Sequence, residues 1–549
     1  MHNRYLITKY WLMVQFGGKK KWTTFEHNGV LFPEEYKQHG TPIIYKDEKI
    51  VLNKNAEEYA TLYAKYIETE YFKNKIFNKN FWNDWKKVLD DNRIQSLEDC
   101  NFKLIYDHIM IEKEKRKAMT PEEKEKKIKD EEKYKFAIVD GKKQPVGNFR
   151  IEPPGIFIGR GCNKKLGKVK TRIYPEDVTI NIGKEAKIPD INLPVTPDKP
   201  SGYKWGKVIH DRSVEWIASW KDNVGGKTKY VWLAAQSDFK ATSDLKKFDL
   251  ARKLKKNIKK IKEDNMKNLS NPDIQNKQIA TALYFIDNLA LRVGNEKGKD
   301  EADTVGVTSL RVEHIKLLDN NKLTLDFLGK DAVRYLNTIT ADAQVYKNIQ
   351  EFMIGKDKKD ELFDKINAND INKYLQSFMK GLTAKVFRTF NASNLFQKEL
   401  MKVNKKYDTY NMDDKKNILL DEFNKANAKV ALLCNHQKNI SKSFSKQIDK
   451  INEMIKTLKS KLKKARNVPK KNMQKINSIK EKINKLKIKK DMRIQMKNIS
   501  LGTSKINYID PRITIAFMKK HNLPIDKIFS KTLQDKFKWA LDVDPDFKF

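Results

Sequence analysis

The sequence predicts an α+β chain of several domains, and three observations predict it. At 549 residues the chain exceeds what one hydrophobic core organises, so about two to four domains are expected. Apolar periodicity changes along the chain: short strand-like runs and turns fill 136–233, whereas helical spacing dominates 245–436. Residues 440–497 then carry apolar positions at 3-4 spacing among lysines, the pattern of two heptad helices in an antiparallel coiled-coil hairpin. Hydrophobic content of 39% suffices for packed domains, and a charged fraction of 33% implies long solvated helices rather than general disorder.

The elements follow in order. Tyr5 to Phe16 is mildly apolar, but Lys9 interrupts it and no small-residue cleavage site follows. Residues 1–20 are therefore read as an N-terminal extension and not a signal peptide. In 21–236, Ala56 to Tyr71 places Tyr59, Leu62, Tyr63 and Tyr66 on one helical face. Thr120-Pro-Glu-Glu123 is an N-cap followed by proline at the first helical position and acids in the first turn. Phe136–Val139, Val178–Ile182 and Tyr230–Leu233 read as strands, separated by turns such as Glu152-Pro-Pro-Gly155 and Gly159-Arg-Gly161.

Residues 237–439 read as mainly helical, except for Lys322–Leu328, a strand running into Gly329-Lys330-Asp331. In 440–497 the seam is Ile448, Ile451, Ile455, Leu458 and Leu462, resumed by Ile476, Ile479, Ile483 and Leu486 after a break at Asn467-Val-Pro469. The hairpin holds only four acids, Asp449, Glu453, Glu481 and Asp491, so its outer faces are strongly positive. A small C-terminal domain, 498–549, contains Tyr508.

The 112 Lys and Arg against 71 Asp and Glu leave a formal charge of +41. Such a field calls for a polyanion, DNA or RNA before an acidic membrane, although lysine- and asparagine-rich coding explains part of the excess. Cys100, Cys162 and Cys434 are scattered and unpaired in spacing, which argues against a disulfide framework or a zinc site and for a reducing compartment. No apolar run reaches bilayer-spanning length.

A phosphodiester is cut either by water, usually on metal ions held by clustered carboxylates, or by a protein nucleophile. No convincing carboxylate cluster is present, and Gly225-Gly-Lys-Thr228 lacks the earlier glycine of a phosphate loop, with Lys221 in its place. Neither metal nor ATP is expected. Tyrosine suits covalent attack, because its phosphoryl ester conserves the bond energy for religation. Arginine forks hold two phosphate oxygens and stay charged, and a lysine among other cations suits a general acid. Taken alone, one tyrosine among 20, one arginine or one helical histidine is unremarkable; their joint context carries the case.

That context is a set of long runs in one order: Asn148-Phe-Arg-Ile-Glu-Pro-Pro-Gly155, Ala282-Leu-Tyr-Phe-Ile-Asp-Asn-Leu-Ala-Leu-Arg-Val-Gly-Asn-Glu296, Ala302-Asp-Thr-Val-Gly306 and Ser309-Leu-Arg-Val-Glu-His314. Asp326-Phe-Leu-Gly-Lys-Asp331, Gly381-Leu-Thr-Ala-Lys-Val-Phe-Arg-Thr-Phe-Asn-Ala-Ser393, Leu433-Cys-Asn-His-Gln437 and Leu501-Gly-Thr-Ser-Lys-Ile-Asn-Tyr-Ile-Asp-Pro-Arg512 follow. Together they closely resemble eukaryotic DNA topoisomerase IB, from about Lys21 to Phe549.

The resemblance implies a clamp around double-stranded DNA, with 21–236 as the DNA-binding cap, 237–439 as the catalytic lobe and 440–497 as a protruding linker. It implies that Tyr508 attacks the scissile phosphate and joins the 3′ end, with Arg292 and Arg388 on the non-bridging oxygens. Lys330 would protonate the leaving 5′ oxygen, and His436 would hydrogen-bond the phosphate in the transition state. Arg160, Lys229, Asp331 and Asn507 match positions near the cleavage site, and Lys385 belongs to the same DNA-facing run. Arg160, Asp331 and Asn507 also match positions where camptothecin-type poisons act. The resemblance implies a nuclear address, but the family's usual long charged tail with nuclear import signals does not precede the matching region, which puts that address in doubt and leaves a viral origin as the alternative. Two rival functions fit these residues less well. A tyrosine recombinase usually carries His-x-x-Arg where this chain has Lys385-Val-Phe-Arg388, and a non-catalytic DNA-binding relative would lack one of the five catalytic residues.

Overall fold

A computed structural model describes residues 20–549 apart from 160–162, 196–198, 295–302, 408–411, 439, 441–442 and 468–471. The N-terminal extension up to residue 19, Arg160, Cys162 and the Pro469 break therefore lie outside the described residues. The fold is mixed α and β, about 49% helical, and divides into two units after Asp244.

The first unit is built from short strands: β1 (Phe25–His27), β2 (Ile43–Tyr45), β3 (Glu48–Ile50), β4 (Cys100–Asn101), β5 (Phe136–Val139), β6 (Lys142–Pro145), β7 (Gly155–Ile156), β8 (Val169–Lys170), β9 (Thr179–Asn181), β10 (Lys207–Ile209), β11 (Trp216–Lys221) and β12 (Thr228–Trp232). They form sheets ordered β1-β5-β6, β3-β2-β4, β7-β8 and β10-β9-β11-β12. The β sheets around β5 and β11 share one core with Trp22, Phe25, Ile180 and Ile217. Helices α1 (Lys54–Ala64), α2 (Lys75–Trp85) and α3 (Lys103–Lys117) close a second, aromatic core of Tyr63, Phe77, Phe81 and Trp85. α4 (Pro121–Glu132) starts at the expected cap: Thr120 accepts from the Glu123 amide while the Glu123 carboxylate returns to the Thr120 amide.

One helix is shorter than its apolar face suggests. The run expected over Ala56 to Tyr71 stops at Ala64, because the next amides tighten into three-residue bonds, Tyr66 to Tyr63, Ile67 to Ala64 and Thr69 to Tyr66. The Thr69 hydroxyl also donates to the Tyr66 carbonyl at 2.7 Å, which favours the turn over continued helix.

The second unit holds α5 (Asp238–Asn268), which starts just before the division, then α6 (Ile274–Asn288), β13 (Ile315–Leu318), β14 (Lys322–Leu328), β15 (Arg334–Thr340), α7 (Ala343–Met353), α8 (Ala368–Phe378), α9 (Ala384–Tyr407) and α10 (Met412–Leu433). The three strands form an antiparallel meander. After α11 (Phe444–Arg466) and α12 (Met473–Gln495) come α13 (Leu501–Asn507), α14 (Pro511–Lys520) and α15 (Lys531–Lys536). α11 and α12 pack through Ile451, Ile455, Ile479 and Ile483, with Leu458, Leu462 and Leu486 against them. Ile448, expected in that seam, is only half-buried and outside the cluster. The C-terminal segment does not build a core of its own: Ile509, Ile513, Phe517 and Phe549 share one cluster with Phe285, Phe387 and Phe396. That shared core delivers residue 508 to the middle of the unit.

Candidate active site

The site assembles from four stretches of the second unit. Arg292 lies beyond the end of α6, Arg388 in the second turn of α9, His436 just after α10, and Tyr508 at the C-cap of α13. Arg292 sits on an extended segment that a close glycine pair holds in place. Gly294 adopts φ +94°, and a Cβ on Gly306 would approach the Gly294 Cα to 2.4 Å and the Arg292 carbonyl to 2.8 Å, so neither position tolerates a side chain. Through that contact the Val307 amide donates to the Arg292 carbonyl (2.9 Å) and the Thr308 amide to Val293 (2.7 Å).

Arg388 is buried at 4% exposure, and its two terminal nitrogens donate to carbonyls. Nη1 donates to Ala290 and Nη2 to Cys434 at 3.0 Å. Both acceptors are presented by left-handed backbone, Ala290 itself at φ 49° and Asn435, next to Cys434, at φ 52°. Arg388 Nε has no partner, and among the described residues no carboxylate pairs with Arg388 or Arg292. A buried guanidinium without a counter-charge is costly to bury and favours an incoming anion.

The guanidinium of Arg388 lies 5.1 Å from the centre of the Tyr508 ring, and the His436 ring lies 5.0 Å from it on a tilted stack. Burial pushes the Tyr508 phenol up, but Arg388 and then Arg292 outweigh it and hold the hydroxyl below its ordinary value of 10. Burial, with the same two arginines, lowers His436 to about 3, so the imidazole is neutral at physiological pH. Burial and Arg388 also lower Arg292. His436 Nδ1 hydrogen-bonds the Ser504 hydroxyl at 2.7 Å, and Nε2 is buried without a partner.

Lys330 occupies the tip of the β14–β15 hairpin, exposed, where Asp331 (φ 68°) and Ala332 (φ 57°) turn the chain through left-handed conformations. The hairpin is wired to the rest. Val305 donates to the Leu328 carbonyl (2.8 Å), and the side-chain amides of Asn435 and Gln437 both donate to the Arg334 carbonyl (3.2 Å). Arg334 pairs in turn with Asp326 across the hairpin. The His436 turn then binds the segment leading to the tyrosine, with the Ser500 amide donating to the His436 carbonyl at 2.8 Å.

Of the residues singled out in the sequence, Tyr508, Arg292, Arg388 and His436 come together, whereas Lys330 stands exposed at the hairpin tip and only the hairpin backbone, at Leu328 and Arg334, is bonded to the segments beside them. Asp331 lies beside Lys330, Asn507 is exposed next to Tyr508, and Lys385 is exposed one helical turn before Arg388. Lys229 lies on β12 of the first unit, 3.9 Å from Glu152. Three positions were missed by sequence reasoning. Ser504 contacts His436, Ser393 donates to the Tyr508 carbonyl and accepts from the Asp510 amide (both 3.0 Å), and buried Asp510 caps α14 and pairs with Arg512. Ser393, Ser504 and Asp510 all stand inside the quoted runs; only burial separates them from ordinary polar residues.

A tyrosine whose hydroxyl is held below its ordinary value by two arginines, beside two buried nitrogens without a partner among the described residues, makes a cationic site suited to an oxyanion. Comparison with known proteins agrees at the level of whole domains. Three family models match: "Eukaryotic DNA topoisomerase I, DNA binding fragment" over 20–233, "Eukaryotic DNA topoisomerase I, catalytic core" over 236–469 and "C-terminal topoisomerase domain" over 480–549. The chain is similar to DNA topoisomerase 1 beta of Arabidopsis thaliana (45% identity, 97% of this chain, 60% of that protein). It is also similar to DNA topoisomerase 1 of Caenorhabditis elegans (43%; 98% and 69%) and of Homo sapiens (40%; 96% and 72%). The chain belongs to the eukaryotic DNA topoisomerase I family, and it spans about 60% of the length of the two Arabidopsis relatives. Among the described residues no helix is long and apolar enough to cross a membrane.

Proposed function

We propose that the chain is a type IB DNA topoisomerase that relaxes positive and negative supercoils without ATP or metal. The observation that carries this reading is the buried Arg388, whose Nε has no partner and whose charge no carboxylate offsets among the described residues, set against the face of Tyr508. In the proposed cycle the Tyr508 oxygen attacks the scissile phosphorus and the bond to the 5′ oxygen breaks, leaving a 3′-phosphotyrosyl ester. Arg292 and Arg388 hold the non-bridging oxygens, His436 hydrogen-bonds the same phosphate, and Lys330 gives its proton to the leaving 5′ oxygen. The cut strand rotates about the intact one, and the 5′ hydroxyl reverses the attack.

In the same reading the chain acts as a monomer clamping duplex DNA in the nucleus. The 21–236 region is the cap, 237–439 the catalytic lobe, 440–497 a coiled-coil linker and 498–549 the carrier of the nucleophile. Lys229, Lys385, Asp331 and Asn507 contact DNA near the cut, as does Arg160, and camptothecin-type poisons slow religation. The test is relaxation of plasmids of both signs in EDTA without ATP, comparing wild type with Tyr508→Phe. Relaxation by wild type alone, with protein trapped on the 3′ end, supports the reading; relaxation surviving in Tyr508→Phe sinks it.

A further inference from the structure

We propose that Ser504 is a positioning residue that sets the tautomer of His436: its hydroxyl donates to Nδ1, leaving the ring proton on Nε2, the nitrogen without a partner. The inference rests on the topoisomerase reading for its consequence in catalysis, but its structural content stands on three observations.

The first is satisfaction of hydrogen bonds. Ser504 is completely buried, and among the described residues its side chain has one partner, His436 Nδ1 at 2.7 Å. A neutral imidazole carries one N–H and one bare nitrogen. If Nδ1 carried the proton, it would donate to Ser504 Oγ. The serine hydroxyl would then hold a buried proton with nowhere to give it, and Nε2 would be a buried acceptor with no donor. With Ser504 donating, the hydroxyl and Nδ1 satisfy each other, and the one group left open is Nε2–H. An open donor beside two arginines fits a phosphate oxygen; an open acceptor would repel it.

The second is that protonation cannot substitute for this choice. His436 is held neutral down to about pH 3 by burial and by Arg388 and Arg292, so it has a single proton to present and its location decides whether it can donate. The third is that Ser504 also holds the nucleophile. Its carbonyl accepts the amides of both Tyr508 and Ile509 at 3.0 Å, so one residue fixes the imidazole proton and the start of the tyrosine segment. The His436 backbone is anchored separately, its amide on Ala431 (2.8 Å) and its carbonyl on Ser500. Removing the Ser504 hydroxyl therefore changes the ring's proton without releasing the turn.

The experiment uses the full chain with 15N-labelled histidine, read by long-range proton–nitrogen spectra at pH 7, with His436 assigned by its loss in His436→Gln. Wild type shows the Nε2–H pattern. Ser504→Ala shifts His436 toward Nδ1–H or a mixture, and single-turnover cleavage of a duplex falls by about 10-fold or more, the scale of one hydrogen bond to a charged group. In the His436→Gln background the same substitution causes no further loss, because the two act through one ring. Ser504→Thr, which restores a hydroxyl, recovers the Nε2–H pattern. An Nδ1–H pattern in wild type overturns the proposal, as does an equal fractional loss of cleavage in both backgrounds. The wild-type spectrum needs no variant to fold. A wild type that never cleaves DNA would defeat the topoisomerase reading while the spectrum still judged the tautomer.

Discussion

Burial and charge pull the Tyr508 phenol in opposite directions, and the outcome depends on two guanidiniums, of which Arg388 is held by the main-chain carbonyls of Ala290 and Cys434. Lysine cannot replace Arg388 here, because the donors of an ammonium all sit on one nitrogen and cannot span Ala290 and Cys434 as the two separate nitrogens of the planar fork do while a third faces the site. Arg388→Lys should reduce single-turnover cleavage by about 10²–10³-fold, the loss typical of one transition-state donor, with the melting temperature recorded alongside. A reduction below tenfold would mean that charge alone suffices. The histidines give a pH prediction. His436 is lowered to about 3 and buried His27 to about 4, each from 6.5. The unfolded chain therefore binds protons that the folded chain refuses. Their contribution to stability is complete above pH 6.5 and is lost as pH falls toward the folded values. The urea midpoint should drop between pH 7 and pH 5, and His27→Gln should flatten that drop.

Among the elements, the Gly294–Gly306 contact is unforgiving next to the site, since a Cβ on Gly306 would meet the backbone of Gly294 at 2.4 Å and Gly294 itself holds φ +94°. Gly306→Ala should destabilise the chain by about 1–3 kcal/mol and slow cleavage more than its stability loss explains, because the displaced segment carries Arg292. Urea denaturation paired with single-turnover cleavage checks both parts. Elements were legible in the sequence where one physical signal dominated. Lys322–Leu328 alternates cleanly and is β14, residue for residue, and Phe136–Val139 is β5. Arg334–Thr340, an outer strand of its sheet with mostly exposed side chains, offers no apolar alternation and was not foreseen. Trp216–Lys221 is buried on both faces over most of its length and likewise hides its period. The candidate site residues could be named because these runs resemble a family. Ser393 and Ser504 were not, since nothing in a serine's neighbours announces that it will be buried against a histidine or a tyrosine carbonyl.

At the scale of the whole molecule the dominant quantity is +41, concentrated in part on the α11–α12 pair, where 440–497 carries 20 Lys and Arg against 4 acids. Duplex affinity should fall by roughly 10³–10⁵ between about 50 and 200 mM salt if about 6–10 phosphates are neutralised; a flat response in a filter-binding titration would remove the electrostatic account. Deleting 440–497 with Tyr508 kept within reach should leave cleavage of a short duplex intact while altering the rate of plasmid relaxation. Unchanged relaxation would make the pair a mere connector.

The shared core of the second unit also orders events in time. Arg292, Lys330, Arg388 and His436 are all translated before Tyr508, the first by more than two hundred positions, and the core that seats them is finished by Phe517 and Phe549. A growing or prematurely stopped chain would carry cations suited to holding a phosphate backbone but no nucleophile with which to break it. On the proposed chemistry, synthesis thus arms the molecule last.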